Sequence, residues 1–173
     1  LSVSSAASDV YKRQLYYSYN DLVSDCRIIA REMAHESYKP DVIIGPGRGA
    51  YPFGVMLSHY FEVPFEAFRW QTRDGKIEDS ETLKHILSKY ISKNILVVDD
   101  INDSGKTLHG ILSVIKDFDS KQNNNMFTLH EGIKFATLFD KESSEFNEVE
   151  FTANVVLPDQ ERWIVFPYEE WWK

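Results

Sequence analysis

The sequence predicts an α/β fold with a doubly wound, mainly parallel sheet flanked by helices. Strand-like and helix-like stretches alternate along the chain, which is typical of parallel strands joined by crossover helices. Residues 95–98 form an unbroken apolar run, as expected of a central strand covered on both faces. Two strand-to-helix turns are rich in glycine or aspartate, and such turns are where open α/β sheets bind ligands. The length of 173 residues suits a single domain, which we expect over residues 15–173.

The first helix is predicted from its cap and its apolar spacing. Ser18 or Asn20 suits the N-cap, with Asp21 in the first turn. The helical pattern stops at Pro40, and Pro52 suits the first turn of a second helix. The other expected elements are strands over 41–44 and 63–70, a turn or mobile loop over 72–75, a helix over 80–91, a strand over 95–98, a helix over 106–118, and strands over 133–139, 151–157 and 163–166.

The N-terminal stretch differs from the rest of the chain. Residues 1–14, LSVSSAASDVYKRQ, are rich in serine and alanine, and they start without methionine. They show neither helical nor strand periodicity. We expect them to be a disordered or non-native leader outside the fold.

Composition excludes several classes of partner. The net charge of −8 argues against general binding to nucleic acid or to anionic membranes. No apolar run approaches the roughly 18 to 20 residues that cross a bilayer. Cys26 is the one cysteine, so an internal disulfide is excluded and a reducing, cytoplasmic location is expected.

The turn GPGRGA, residues 45–50, leaves three interpretations open. It satisfies the dinucleotide pattern G-x-G-x-x-A, with Glu66 at about the right distance to bind a ribose. Glu66 falls in the middle of a predicted strand, however, whereas the ribose-binding acid should stand at a strand end. The turn is alternatively a plain glycine connection, or an anion site built on Arg48.

The stretch ILVVDDINDSGKT, residues 95–107, is the most informative. A P-loop is excluded, because Asp100 stands where that motif requires glycine. Asp99 and Asp100 are expected at the ligand side of a strand end, pointing in opposite directions. Carboxylates so placed can accept hydrogen bonds from vicinal hydroxyls, with Mg²⁺ held nearby directly or through water.

A phosphate site is predicted directly after these acids. Residues 103–107 form a turn that opens a helix, so backbone N–H groups and the hydroxyls of Ser104 and Thr107 converge there. A ligand with two hydroxyls and a phosphate at this spacing is a ribose 5-phosphate.

VVDDINDSGKTL resembles the phosphoribosyl pyrophosphate (PRPP) signature of the type I phosphoribosyltransferases. The resemblance implies that Asp99 and Asp100 hold the ribose hydroxyls and Mg²⁺. It also implies that the turn holds the 5-phosphate of PRPP, with Lys106 in a variable position that has no catalytic role. The implied PRPP-binding residues of the turn are Asp103, Ser104, Gly105, Lys106 and Thr107.

The C-terminal sequence RWIVFPYEEWW is similar to that of the xanthine-guanine enzymes of this family. The similarity implies that Trp163 stacks on a purine and that Ile164 offers backbone groups to its edge. Glu169 would lie near the purine 2-substituent, and Lys141, after the strand FATLF, resembles the lysine that reads the 6-oxo group. A small C-terminal hood over about 141–173 is implied as well.

The implied reaction transfers the phosphoribosyl group of PRPP to a 6-oxopurine and releases pyrophosphate in purine salvage. Arg48 and Gly49 resemble the pyrophosphate loop, and Asp103 resembles the general base at purine N7. Residues 68–75 are the candidate for the closing loop, with Arg69 and Arg73 able to contact pyrophosphate. Family members are commonly homodimers or homotetramers, so a homo-oligomer is expected.

Three other functions stay open at this stage. The chain could transfer the phosphoribosyl group to a pyrimidine base, or it could bind PRPP as a regulator without catalysis. The turn at 45–50 could instead bind a dinucleotide. The preference among hypoxanthine, xanthine and guanine is also open, because Val165 and Glu169 depart from the residues of the bacterial xanthine-guanine enzymes.

Overall fold

The computed structural model describes residues 14–73, 76–78, 80–121, 132–169 and 171–172. The four helices of this part are α1 (Tyr19–His35), α2 (Ala50–Phe61), α3 (Ser80–Lys89) and α4 (Lys106–Lys121). Its strands are β1 (Gln14–Tyr16), β2 (Val42–Pro46), β3 (Phe65–Phe68), β4 (Gln71–Arg73), β5 (Lys76–Glu78), β6 (Ile95–Asn102), β7 (Ile133–Lys141), β8 (Phe151–Val156) and β9 (Trp163–Val165). A short 3₁₀ helix spans Pro158–Gln160.

The main sheet has five strands in the order β3-β2-β6-β7-β8, and every neighbouring pair is parallel. Helices α1 and α2 pack on one face of the sheet, where Met33 and Phe53 belong to the same buried cluster as Val98. Helices α3 and α4 pack on the other face, where Leu87 and Ile111 belong to the same buried cluster as Val97. The predicted doubly wound parallel fold is therefore confirmed.

The register of β6 creates a cleft in the sheet. Strand β2 pairs with β6 only from Val42 with Ile95 to Ile44 with Val97. Strand β7 follows β6 much further, as far as Asn102 opposite Asp140. The outer half of β6 therefore has a strand neighbour on one side only. The strand order also reverses at β2 and β6, and such switch points are where open α/β sheets bind ligands.

Several predicted boundaries were wrong. Strand β6 does not end at residue 98 but continues to Asn102, so Asp99 and Asp100 lie within it. The predicted turn over 72–75 falls in the antiparallel pair β4–β5, whose residues 74–75 lie outside the described part. Helix α4 extends to Lys121, past the predicted end at 118.

A second, two-stranded sheet joins the two ends of the described chain. Strands β1 and β9 are parallel, with Gln14 opposite Trp163. Gln14, which the sequence placed in the leader, is thus the first residue of a strand, and residues 1–13 lie outside the described part. Strand β8 falls within the range 141–173 expected for the hood, yet it belongs to the main sheet. No described helix is long and apolar enough to cross a lipid bilayer.

A buried carboxylate ties the second sheet to the first. Asp25 of α1 is 8% exposed. It accepts hydrogen bonds from the Tyr17 hydroxyl, next to β1, and from the Asn154 amide of β8, both at 2.6 Å. A buried carboxylate without hydrogen-bond donors is costly. These two bonds therefore fix the position of β1 and the start of α1 relative to β8.

Ser18 begins α1 as the N-cap of a reciprocal capping box with Asp21. The Asp21 backbone N–H donates to Ser18 Oγ at 3.2 Å, and the Ser18 N–H donates to Asp21 Oδ2 at 2.9 Å. We expect Ser18→Ala to lower the free energy of unfolding by about 1 kcal/mol. Ser24→Ala, on the exposed face of the same helix, should change it by less than about 0.5 kcal/mol. Urea unfolding of both variants measures the difference, and equal losses would contradict the capping role.

Candidate functional site

A pocket of about 850 Å³ lies between the loops after β2 and β3 and the outer half of β6. Its described lining residues are Gly47, Arg48, Gly49, Arg69, Trp70, Asp99, Asp100, Tyr168, Glu169 and Trp172. The pocket thus brings together the predicted pyrophosphate residues, the paired aspartates, one arginine of the predicted closing loop and Glu169.

The loop after β2 lies directly against the paired aspartates. The Gly47 N–H donates to the Phe68 carbonyl at 2.8 Å, which holds this loop to the end of β3. A Cβ atom at Gly49 would lie 2.3 Å from Asp100 Oδ2. Only glycine therefore allows the backbone to approach this carboxylate, and the loop continues at once into the N-terminus of α2.

Asp99 and Asp100 form a desolvated carboxyl pair. Burial raises the pKa of Asp99 well above its ordinary range, and the neighbouring charge of Asp100 raises it further. Burial also raises the pKa of Asp100 from 3.8 to about 6. The Tyr168 hydroxyl, which donates to Asp100 Oδ2 at 3.2 Å, opposes that rise in part. Ionising the pair is therefore costly until a cation or hydroxyl donors arrive.

The chemistry of this pair fits Mg²⁺. Among the described residues, no group of three or more His, Cys, Asp or Glu side chains could hold a metal ion by itself. Magnesium, however, is usually bound by one or two carboxylates together with substrate phosphates and water. Asp99 and Asp100 match that mode of binding, provided that the substrate brings the phosphates.

Two arginines face the same pocket. Arg48 and Arg69 are exposed there, and neither forms an ion pair with another described residue. Free guanidinium groups beside a helix N-terminus suit a phosphate ligand. Arg73, the other predicted loop arginine, lies in β4, and its side chain is outside the described part.

The predicted phosphate turn opens α4. Gly105 has φ of +81°, and a Cβ there would lie 2.5 Å from the Phe146 backbone nitrogen. The turn requires glycine on both counts. Helix α4 begins at Lys106, so its first N–H groups lack helical acceptors and face the turn. Ser104, Lys106 and Thr107 are all at least partly exposed there. The five residues 103–107 lie outside the lining of the 850 Å³ pocket.

A buried amide holds this turn in place. Asn102 is 1% exposed. Its amide donates to Asp140 Oδ1 at 2.7 Å and to the Phe146 carbonyl at 2.9 Å. Its carbonyl accepts a hydrogen bond from Ser144 Oγ at 2.8 Å. The end of β6 is therefore anchored to the segment after β7, and Asp103 is presented toward that segment.

Lys141 and Asp103 meet at the end of β7. The distance from Lys141 Nζ to Asp103 Oδ1 is 2.5 Å. The lysine side chain is 15% exposed, whereas that of the aspartate is 64% exposed. The predicted reader of the 6-oxo group and the predicted general base thus form one ion pair, a contact that no motif in the sequence indicated.

The remaining predicted base-binding residues lie near the C-terminus. Trp163, at the start of β9, is 71% exposed, while the side chain of Ile164 is buried in the core. Glu169 lines the pocket, but its Oε2 accepts a hydrogen bond from the Phe166 N–H at 3.2 Å. The carboxylate of Glu169 therefore braces the turn over 166–169 as well as facing the pocket.

Glu66 is engaged away from the pocket. It accepts a hydrogen bond from the Tyr90 hydroxyl at 2.9 Å and pairs with Lys89 at the end of α3. It does not line the pocket with the glycine loop. These contacts argue against the dinucleotide interpretation of residues 45–50, which needs a free acid at Glu66.

Three aromatic residues of the pocket were missed as ligand contacts. All three line the pocket. Trp70 falls in the predicted closing segment 68–75, and Tyr168 and Trp172 fall in the C-terminal motif, but none of them was assigned a ligand contact. Trp70 is 9% exposed and packs edge-on against Phe68, so it forms the pocket wall by closing the core. Tyr168 contacts Asp100 across 68 positions of sequence. The aromatic position of the C-terminal motif was the sequence signal that could have identified Tyr168 as part of this wall.

A parallel sheet with a pocket at its switch point, and beside it a glycine turn that opens a helix, is the arrangement by which many α/β proteins bind phosphorylated ligands. The sequence matches the phosphoribosyl transferase domain over residues 16–171, and the chain belongs to that family. The family resemblance inferred from residues 95–107 is confirmed.

Individual relatives are distant but span nearly the whole chain. The hypoxanthine-guanine phosphoribosyltransferase of Schizosaccharomyces pombe is 26% identical, over 90% of this chain and 89% of its own length. That of Saccharomyces cerevisiae is 23% identical, over 89% and 85%. Among solved structures, the purine phosphoribosyltransferase from Pyrococcus horikoshii Ot3 has a TM-score of 0.65 at 26% identity, covering 91% of this chain and 95% of that one. The Helicobacter pylori xanthine-guanine-hypoxanthine enzyme has a TM-score of 0.68 at 23% identity, covering 91% and 93%.

The carboxyl pair should make stability depend on pH. Because the pKa of Asp100 is raised in the folded protein, the folded state holds more protons than the unfolded state between about pH 4 and 6. Without ligand, the contribution of Asp100 to the free energy of unfolding therefore falls as pH rises through that window. We expect Asp100→Asn to weaken that fall and to raise the melting temperature at pH 7.5 by about 5 °C.

Differential scanning calorimetry from pH 4 to pH 8 measures both effects. The exposed residue Asp159 provides the matched control, since Asp159→Asn should leave the profile unchanged. A lower melting temperature for Asp100→Asn at pH 7.5 would show that the carboxylate stabilises the empty site.

Proposed function

We propose that this phosphoribosyltransferase transfers the 5-phosphoribosyl group of PRPP to a 6-oxopurine and releases pyrophosphate. The observation that carries the proposal is the Lys141–Asp103 ion pair, with 2.5 Å between Nζ and Oδ1. It sets a hydrogen-bond donor beside an acceptor, three residues beyond the aspartate pair. A 6-oxopurine with a proton on N7 presents the complementary edge: O6 accepts from the lysine, and N7–H donates to the aspartate.

The Lys141–Asp103 pair also distinguishes the bases that should not be substrates. Adenine has an amino group at C6, so a donor would face the donor of Lys141. Uracil offers a carbonyl beside an N–H and therefore matches the pair in part. The names of the curated relatives, which are hypoxanthine-guanine enzymes, favour the purine.

PRPP would occupy the described pocket and the turn beside it. Asp99 and Asp100 would accept hydrogen bonds from the ribose hydroxyls, and the turn over 103–107 would bind the 5-phosphate. Arg48 and the N–H groups around Gly49 would bind the pyrophosphate. The raised pKa values of the two aspartates support this arrangement, because hydroxyl donors favour their ionised forms.

Mg²⁺ held at Asp99 and Asp100 would neutralise charge on the pyrophosphate leaving group. The side chains of the chain itself supply the remaining steps. Arg48 stabilises the negative charge that builds on pyrophosphate as its bond to ribose C1 breaks. Asp103 takes the proton from purine N7 while the other nitrogen of the five-membered ring bonds to ribose C1. Lys141 donates a charge-assisted hydrogen bond to O6.

The C-terminal residues would complete the base site. Trp163 has a largely exposed ring, which leaves a face free to stack on a purine. The backbone of Ile164 and the turn braced by Glu169 would face the purine edge that carries the 2-substituent. Closure of the segment that carries Arg69 and Arg73 would exclude water from the reacting ribose. We further propose a homo-oligomer, dimer or tetramer, as is common in the family.

A pyrophosphate-release assay with PRPP and Mg²⁺ tests the proposed substrate. The bases are hypoxanthine, xanthine, guanine, adenine, uracil and orotate. We expect release with one or more 6-oxopurines and none with adenine. Release with uracil or orotate alone would assign the enzyme to a pyrimidine, and PRPP binding without release for any base would favour a regulator.

Asp103→Asn tests the assigned base. The amide keeps the size of the carboxylate but cannot take the N7 proton, so we expect kcat to fall about 100-fold or more. The affinity for PRPP, measured by calorimetry, should change by less than about threefold, because the turn keeps its backbone donors. The exposed Asp159→Asn serves as the control. Unchanged kcat in Asp103→Asn would remove this residue from the mechanism.

A further inference from the structure

Lys141 has a second acidic neighbour, Glu161, which no part of the proposed mechanism uses. The distance from Lys141 Nζ to Glu161 Oε2 is 3.7 Å, which makes an ion pair. The other carboxylate oxygen of Glu161, Oε1, accepts a hydrogen bond from Ser143 Oγ at 2.5 Å. Glu161 is therefore held from one side by the turn after β7, and it presents its free oxygen to the lysine.

We propose that Glu161 is a positioning residue that holds Lys141 in place for the purine while Asp103 changes its charge. This inference rests on the proposed function, since it concerns the same base site. Asp103 and Glu161 are the two acids that pair with Lys141 among the described residues. If Asp103 takes the N7 proton, it becomes neutral and its attraction for the ammonium group is lost. Glu161 remains as the counter-charge.

The burial of Lys141 makes that second acid necessary. The lysine side chain is 15% exposed, and an ammonium group shielded from water is costly without a partner. With Glu161 present, the ammonium group stays paired while its contact to Asp103 is replaced by the purine O6. The side chain of Glu161 is 37% exposed. It therefore remains partly hydrated, and the cost of desolvating its negative charge is small.

The place of Glu161 in the chain also links the two sides of the base site. It directly follows the 3₁₀ helix Pro158–Gln160 and precedes Trp163 by two residues. Its contacts with Ser143 and Lys141 therefore tie the segment of the stacking tryptophan to the end of β7. Loss of the ion pair should weaken binding of the base and leave PRPP binding unchanged, because Glu161 is not among the residues proposed to bind PRPP.

Glu161→Gln removes the charge but keeps an oxygen for Ser143. We expect the KM for the 6-oxopurine to rise about fivefold, the size of a partly exposed ion pair. The KM for PRPP should change by less than about twofold. Ser143→Ala should also raise the KM for the 6-oxopurine, but by a smaller factor. It removes the hydrogen bond that holds the Glu161 carboxylate and leaves the carboxylate itself in place. Glu142→Gln is the matched control, because Glu142 is an exposed neighbour that forms no ion pair with another described residue.

A double-mutant cycle separates positioning of Lys141 from a general structural role. In a Lys141→Met background, Glu161→Gln should no longer change the KM for the base. An equal rise in KM in both backgrounds, or an equal rise in the KM for PRPP, would overturn the proposal.

The same cycle on thermal unfolding of the ligand-free protein needs no turnover. The melting-temperature changes of Glu161→Gln and Lys141→Met should not add, because the two side chains interact. If no base supports pyrophosphate release, the proposed function fails while this coupling persists. If release is normal and the coupling is absent, the role of Glu161 alone fails.

Discussion

The site depends on two consecutive carboxylates, Asp99 and Asp100, on the part of β6 that extends beyond its pairing with β2. Strand β6 leaves β2 at Val97 and carries Asp99 and Asp100 into the cleft, where burial raises the pKa of both. Neighbouring groups accommodate Asp100 at this buried position. A glycine lets the loop after β2 approach Asp100, and the Tyr168 hydroxyl donates to it. Such a pair is stabilised by a ligand that brings a cation or hydroxyl donors.

The same strand sets the spacing of the other subsites. Three residues after the aspartate pair, the chain turns into α4, and the buried Asn102 anchors that turn to the segment after β7. The anchor brings Asp103 to Lys141. In the proposed function, this one stretch of the chain would therefore contribute to the sites for ribose, phosphate and base.

The parts of the site that are local in sequence could be predicted. The apolar run before Asp99, the glycines of residues 45–49 and the turn over 103–107 each carry their physical reason within a few residues. Contacts between distant residues could not be predicted in this way. Tyr168 reaches Asp100 across 68 positions, and no periodicity or motif indicates such a bond. The position of Lys141 came from the family resemblance, but its ion pair with Asp103 needed the structure.

The wrong predictions of strand bounds have similar causes. The end of β6 was misplaced because aspartate is rare inside strands, while here the pairing with β7 carries the strand through both acids. Strand β1 was missed because three residues show no period, and its partner β9 lies at the other end of the chain. Its formation depends on Tyr17 and Asp25, whose hydrogen bond only the folded protein creates.

The most direct test of this account counts the protons released when PRPP binds with Mg²⁺ at pH 6. Titration calorimetry in buffers of different ionisation enthalpy gives that number for the protein and for Asp100→Asn. Since the pKa of Asp100 is about 6 without ligand, about half of this group is protonated at that pH. Ligand binding that ionises it should release about half a proton more from the protein than from the variant. Equal proton release from two proteins that both bind PRPP would contradict the central role of the aspartate pair.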